Sequence, residues 1–276
     1  MDLSDSIPAG KRTGHGATVA RASCVGRRAG VPATLALVAA MAFGEAGMAA
    51  EGATEGRLEA RPPSAAPATP GFGPGTHELG LDKERDGLVY VPASAPADRP
   101  APLVLLLHGA GGNAEGMLAL LRDAADHAGA VLLIPESRRQ SWDFIVRSYG
   151  PDVAFIDLAL ETVLAKRRVD PARIAVAGFS DGASYALSLG LINGDLFSHV
   201  LAFAPGFMAP TDLTGRPAVY VSHGVQDAVL PIDRCSRQLV PRLEQAGYRV
   251  RYREFTGGHA VPPDIAREGM TFMLTE

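Results

Sequence analysis

From His77 onward the chain alternates two periods. Short apolar runs, "GLVYVP" (87–92), "PLVLLLHG" (102–109), "AVLLIP" (130–135), "RIAVAGF" (173–179), "HVLAFAP" (199–205), "PAVYVSHG" (217–224) and "YRVRYREF" (248–255), read as strands. Most of the central runs are apolar at every position rather than at alternate ones, as expected of strands covered on both faces. Between them, segments 114–128, 152–168, 182–193, 232–246 and 262–274 space their apolar residues as helices do. Strands alternating with helices predict an α/β fold: a mostly parallel central sheet with crossover helices on both faces, in one domain spanning 76–276.

The first fifty residues follow neither period. Lys11, Arg12, Arg21, Arg27 and Arg28 precede the uncharged apolar stretch Val31–Phe43, and Gly47-Met48-Ala49 then supplies small residues. This is the layout of a signal peptide over 1–50, cleaved near Ala49. At ~1.5 Å per residue the apolar stretch reaches about 20 Å, short of the roughly 30 Å hydrocarbon core, so no stable membrane span is expected in the mature protein. The expectation is export, periplasmic or secreted; the alternative is a cytoplasmic protein with an Ala-rich extension or a start codon placed too far upstream. Residues 51–75, rich in Pro, Ala and Gly, read as a linker without a core of its own.

Composition narrows the function classes. A chain of 276 residues with 47% hydrophobic and 20% charged residues is an ordinary globular one, and a net charge of −4 offers no basic stripe to nucleic acid. No zinc-type Cys/His spacing, Walker lysine motif or dinucleotide glycine motif occurs, so neither a metal nor another cofactor is expected. Cys24 and Cys235 are the two cysteines, too few for a disulfide framework.

The chemistry is expected where strands end. In "RIAVAGFSDGASYALSLG" (173–190) a buried run ends, one serine stands between Gly178 and Gly182, and a helical pattern begins. That is the nucleophile elbow G-x-S-x-G in its strand-turn-helix context, with Ser180 as the candidate nucleophile. Carboxyl ends of parallel strands are where functional loops converge. Asp227 follows the 217–224 strand and His259 follows the 248–255 strand, giving the chain order Ser, Asp, His. Asp233 is the nearest rival acid, better read as a first-turn helix carboxylate. His259 is the only histidine after Asp227; His77, His108, His127, His199 and His223 lie where packing explains them. The Gly-rich turn of "LLLHGAGGN" can present the Ala110 amide beside that of Asp181 as an oxyanion hole, with His108 holding the loop.

The stretches "PLVLLLHGAGGN", "SWDF", "GFSDGA", "HGVQDAVLPI" and "GGHAVPP" resemble the phospholipase/carboxylesterase group of the α/β-hydrolase fold and its neighbours, the polyhydroxybutyrate-depolymerase-like and feruloyl esterases. The resemblance spans residues from about 76 to 274. It implies Ser180 as nucleophile, His259 as base and Asp227 as its orienter in a serine esterase. Asp181 departs from the pattern, since many relatives carry a neutral residue there; its carboxylate opposes an oxyanion unless it turns away. Trp142 and Phe144 are expected to line the substrate side, core packing being the other reading, and Phe207 and Met208 to form an apolar wall. Only Gly206–Arg216, eleven residues, separate the strands between which such folds insert a lid, so a large lid is not expected. The expected substrate is a small-molecule or oligomeric ester with a short acyl or aromatic group. The alternatives are a thioesterase or peptidase with the same triad, or a non-catalytic exported binding protein.

Overall fold

The computed structural model describes residues 55–65, 71–96, 98–146 and 148–275. The expected signal peptide with its cleavage site, Cys24 and parts of the expected linker lie outside the described residues.

Eight strands form one sheet: β1 (Gly75–Glu78), β2 (Gly87–Val91), β3 (Ala101–Leu107), β4 (Val131–Pro135), β5 (Val169–Phe179), β6 (His199–Phe203), β7 (Ala218–Gly224) and β8 (Val250–Phe255). Their order is β1-β2-β4-β3-β5-β6-β7-β8. β1 pairs with β2, and β2 with β4, antiparallel; every other neighbour is parallel. The helices are α1 (Ala114–Ala128), α2 (Asp143–Val146), α3 (Pro151–Lys166), α4 (Asp181–Ile192), α5 (Ser236–Gln245) and α6 (Pro263–Thr275). The β3 run shows why its apolar residues are continuous. Leu103, Leu105 and Leu107 enter a core built with α3, α4 and α5, while Val104 and Leu106 enter a second core with α1 and α6 on the other face.

Where local chemistry is strong, the expected boundaries hold. α1 starts and stops at 114 and 128 because the Asn113 side chain accepts from the Gly116 amide at 2.9 Å and Gly129 adopts the left-handed conformation that ends a helix. Where a segment is short or polar, the structure departs from the pattern. β1 alternates half-buried and exposed residues at a sheet edge and has no apolar run to betray it. β5 starts at Val169, four residues before the expected strand, through the exposed Pro171, Ala172 and Arg173. α2 has only four residues, too few for a helical period, and α5 is preceded by a separate 3-10 turn, Ile232–Arg234.

One expectation is corrected outright. Residues 56–61, read as part of a bare linker, are docked on the domain: Leu58 is fully buried and Ala60 nearly so. The Leu58 amide donates to Asn193 Oδ1 at 2.9 Å, and the Glu59 and Ala60 amides both donate to Asp157 Oδ1 at 2.9 Å. Arg57 and Arg61 both reach Asp195, at 3.1 and 2.6 Å. One leucine among prolines, glycines and charges has no period to read, but burying it contributes ~1.5–3 kcal/mol once α3 and Asn193 at the end of α4 supply the acceptors. Among the described residues no helix is long and apolar enough to cross a membrane.

Candidate active site

Ser180 stands between β5 and α4 with φ 58° and ψ −121°, left-handed backbone that costs a non-glycine residue about 1–3 kcal/mol. Its surroundings enforce the turn. A Cβ on Gly178 would collide with the Gly182 carbonyl oxygen, and one on Gly182 with the carbonyls of Leu107 and His108. Both obstacles are backbone and cannot step aside, so only glycine fits. The Ser180 amide donates to the Phe203 carbonyl at 3.0 Å, and the Ser180 carbonyl accepts from the Ala183 and Ser184 amides. The side chain, free of any capping duty, is left to point along the carboxyl edge of the sheet.

Asp227 and His259 arrive on the next loops. Gly224, the last residue of β7, lies so close to the carbonyls of Gly257 and Gly258 that no side chain fits there. The Val225 and Gln226 amides donate to the Phe255 and Gly257 carbonyls at 2.9 Å, stitching the two loops together. Across this seam His259 Nδ1 stands 2.6 Å from Asp227 Oδ2, and His259 Nε2 stands 2.9 Å from Ser180 Oγ. The Asp227 side chain is wholly buried while that of His259 keeps 15% exposure, enough to meet a substrate. Burial alone would raise the Asp227 carboxyl, but the Leu230 amide, His259 and the Val229 amide outweigh it and hold the group below the usual carboxylate range. The Phe179 ring packs on the imidazole at 4.6 Å between centroids. Asp233 is instead exposed and paired with Arg237 at 2.8 Å.

The turn after β3 lies against the serine: a Cβ on Gly109 would sit 3.2 Å from that of Ser180. Neither the Ala110 nor the Asp181 amide donates to any described residue. His108 is buried; its Nδ1 donates to the Gly109 carbonyl at 2.7 Å and its Nε2 accepts from the Ser137 amide at 3.0 Å. That pairing dictates the tautomer, and burial pushes the imidazole pKa down, so His108 braces the turn as a neutral ring.

Three consecutive residues, of which the sequence pointed to Trp142 alone and for another role, brace the same region. The Gln140 carbonyl accepts from the Gly111 amide at 2.6 Å. Ser141 Oγ donates to Asp181 Oδ2 at 2.6 Å, so the carboxylate whose charge stood out in the sequence is engaged by a hydroxyl. Trp142 Nε1 donates to the His108 carbonyl at 2.8 Å, its ring stacked on Tyr185 at 5.2 Å. Trp142 is fully buried, which corrects its expected place on the substrate side. Its indole spends the one donor it has on the turn after β3. The half-buried Phe144 is stacked on Tyr149 at 5.1 Å and lies 5.4 Å from the exposed Phe207, forming an aromatic wall, while Met208 packs partly into the core.

Beneath this wall Asp143 and Asp152 cap each other. The Asp143 amide donates to Asp152 Oδ2 at 2.6 Å, and the Asp152 amide donates to Asp143 Oδ2 at 2.9 Å. Burial, reinforced by the charge of Asp143, pushes Asp152 up to about 6 against the pull of the Arg138 amide. The segment between β6 and β7 contains no helix and is pinned down: the Gly206 amide donates to Ser184 Oγ at 3.0 Å, the Ala209 amide to Ser188 Oγ at 2.9 Å and Tyr149 Oη to the Ala209 carbonyl at 3.2 Å. Among the described residues no group of three or more His, Cys, Asp and Glu side chains is set to hold a metal ion.

Comparison with known proteins points to one group. A family model described as putative esterase matches residues 80–229. The probable feruloyl esterase C of Aspergillus niger is 27% identical over 167 residues, 58% of this chain and 60% of the relative. The putative esterase NocK of Nocardia uniformis is 33% identical over 146 residues, 49% of this chain and 42% of the relative. The chain thus covers less than two thirds of the length of these relatives. Among solved structures, esterase PE8 superposes with a TM-score of 0.56 at 24% identity, over 68% of this chain and 97% of that one, a likeness of fold.

Proposed function

The chain belongs to the putative esterase family, and from that premise we propose that it is a serine hydrolase cleaving carboxylic esters through Ser180, His259 and Asp227. The observation that carries the reading is the unbroken line Asp227 Oδ2 to His259 Nδ1, 2.6 Å, and His259 Nε2 to Ser180 Oγ, 2.9 Å. Asp227 accepts from Nδ1–H, which leaves the Nε2 lone pair facing the serine hydroxyl. Ser180 Oγ then attacks the acyl carbon as Nε2 takes its proton, and the imidazolium returns that proton to the leaving alcohol. Water releases the acyl group by the same two transfers. The Ala110 and Asp181 amides receive the oxyanion, helped at Asp181 by the start of α4. Nucleophile and base both come from side chains, so the chemistry asks for no metal.

A short acyl or aromatic ester suits the site. Phe144 and Phe207 offer a flat apolar wall, and the Phe207 amide, 3.4 Å from Ser184 Oγ, sets that wall one helical turn from the nucleophile. With each buried CH₂ contributing only ~0.8 kcal/mol, a chain running past Phe207 into water gains nothing. For the region before residue 51 we propose export by a cleaved signal peptide; the amino terminus of protein recovered from the native host tests it.

The deciding experiment is Ser180→Ala, expected to lower ester turnover by several orders of magnitude in a folded protein, leaving at most the ~10³ to 10⁴-fold that binding and oxyanion stabilisation supply over water. Near-parental turnover in that variant removes Ser180 as nucleophile. A p-nitrophenyl ester series from acetate to palmitate, run beside matched thioesters and anilides, then tests the substrate class. A maximum at palmitate contradicts the open aromatic wall, and a preference for thioester or amide reassigns the reaction.

A further inference from the structure

Asp227 has a second histidine. His223, at the penultimate position of β7, is fully buried, and its Nε2 lies 3.2 Å from Asp227 Oδ2, the oxygen that His259 uses, and 2.8 Å from the Leu230 carbonyl oxygen. Its Nδ1 lies 2.7 Å from the hydroxyl of Ser236, itself fully buried as the first residue of α5. We infer that the Ser236–His223 pair is a built-in extension of the triad, in which His223 acts as a positioning residue that donates a hydrogen bond to the Asp227 carboxylate and sets how strongly it holds His259.

The hydrogens follow from the partners. A carbonyl and a carboxylate can only accept, so the proton of neutral His223 is on Nε2, bonded to the Leu230 carbonyl oxygen at 2.8 Å with Asp227 Oδ2 beside it at 3.2 Å. Nδ1 is then the acceptor, and Ser236 Oγ–H fills it. The serine thereby selects the one tautomer that serves Asp227. Leu230 is tied twice, its carbonyl to His223 and its amide to Asp227 Oδ1 at 2.8 Å, so the loop bearing the acid is closed around the histidine. The charged and titratable groups facing His223 are Asp227 on its own loop, Glu254 opposite it on β8, His259 from the loop after β8, and Cys235 beside Ser236. Burial pushes the His223 imidazole down and the neighbouring His259 adds to this, against the opposite pull of Leu230 and Asp227. Neutrality matters for turnover: once His259 becomes imidazolium, a second cation on the same carboxylate oxygen would compete for Asp227.

The test rests on the triad assignment proposed above and is kept separable from it. In His223→Leu the carboxylate loses one donor but keeps the Val229 and Leu230 amides, so it becomes more basic and holds the His259 imidazolium more tightly. The acid limb of kcat/KM moves to higher pH, with KM little changed. His223→Gln, which restores an N–H near the Nε2 position, brings the limb back toward its parental place, and Ser236→Ala gives a smaller shift in the same direction as His223→Leu. A folded His223→Leu protein whose limb is unmoved or displaced to lower pH overturns the inference, since a purely structural histidine would change only folded yield and melting. Imidazole 15N NMR on the parent and on Ser180→Ala gives a readout independent of turnover and of whether the variants fold. Protonation of His223 at Nε2 across the active pH range is expected, and protonation at Nδ1 overturns the inference. If instead Ser180→Ala keeps its turnover, the triad assignment itself fails, whatever the His223 tautomer.

Discussion

The turn at Ser180 and the loop from Glu136 to Asp152 both stand at the carboxyl edge of the sheet and both shape the same few ångströms, yet they are held by different physics. The turn is held by excluded volume: Gly178 and Gly182 have carbonyls where a Cβ would go, and the strained serine is what remains. The loop is held by directed bonds, to distant partners from Ser141 to Asp181, from Trp142 to His108 and from Tyr185 to Asp143, and within itself from the Asp152 amide to Asp143. Excluded volume has no graded failure, because backbone cannot yield without moving the strand or the helix. Hydrogen bonds fail one at a time, by about a kcal/mol or a few each.

The sharpest way to break the contrast is Gly182→Ala. Its methyl meets the carbonyls of Leu107 and His108, overpacking of this kind costs ~1–3 kcal/mol or more, and a displaced elbow loses ~10²-fold in rate. We expect at least that loss in kcat with a lowered melting temperature; parental kcat would show that the turn is not volume-limited. Next is the pH response of Asp152. Its carboxyl binds a proton more tightly folded than unfolded, so between the ordinary carboxylate range and about 6 the folded state carries the extra proton, and its contribution to stability falls as pH rises through that window. The rise to about 6 is worth roughly 3 kcal/mol at most. Urea unfolding of the parent and Asp152→Asn from about pH 4 to pH 7 should show the parent losing ground to the variant with rising pH. Asp227, held low in the fold, contributes in the opposite sense: its stabilisation is lost on acidification. A difference independent of pH would mean that Asp152 is charged throughout.

Smaller is Trp142→Phe, which keeps the ring stack on Tyr185 but strips the buried His108 carbonyl of its donor, an expected ~1–3 kcal/mol in the same unfolding experiment. An unchanged unfolding midpoint would show that the indole contributes packing alone. Smallest is Ser141→Ala. Released from the hydroxyl, the Asp181 carboxylate can turn toward the oxyanion, and we expect kcat to fall severalfold and to recover in Ser141→Ala/Asp181→Asn, where the charge is gone. No recovery in the double variant would show that Ser141 does not act through that carboxylate.

What could be read from sequence shares one property: the responsible residues are close along the chain. The caps of α1 lie within three residues of its ends, the elbow glycines lie two residues from Ser180, and Asp227 and His259 each follow a strand legible as an apolar or alternating run. The structure brings these three residues onto one hydrogen-bonded line. The features that escaped are joined across the chain. Leu58 needs Asn193, Ser141 needs Asp181, Trp142 needs His108, and Ser236 selects the His223 tautomer from the far side of the Asp227 loop. An aromatic after a strand can face substrate or core equally well by pattern; only the position of the His108 carbonyl decided that Trp142 turns inward. Periodicity and turn chemistry are local energies and leave a local record, so the sequence by itself determined the strands from β2 to β8, the crossover helices and the order Ser, Asp, His, but not the edge strand β1. A hydrogen bond between residues tens of positions apart exists only after those elements have packed, so the strap at Leu58 and the brace at Gln140–Trp142 were decided by the tertiary structure alone; His223 lies only four residues from Asp227, but its meeting with Ser236 likewise waits for α5 to pack against β7.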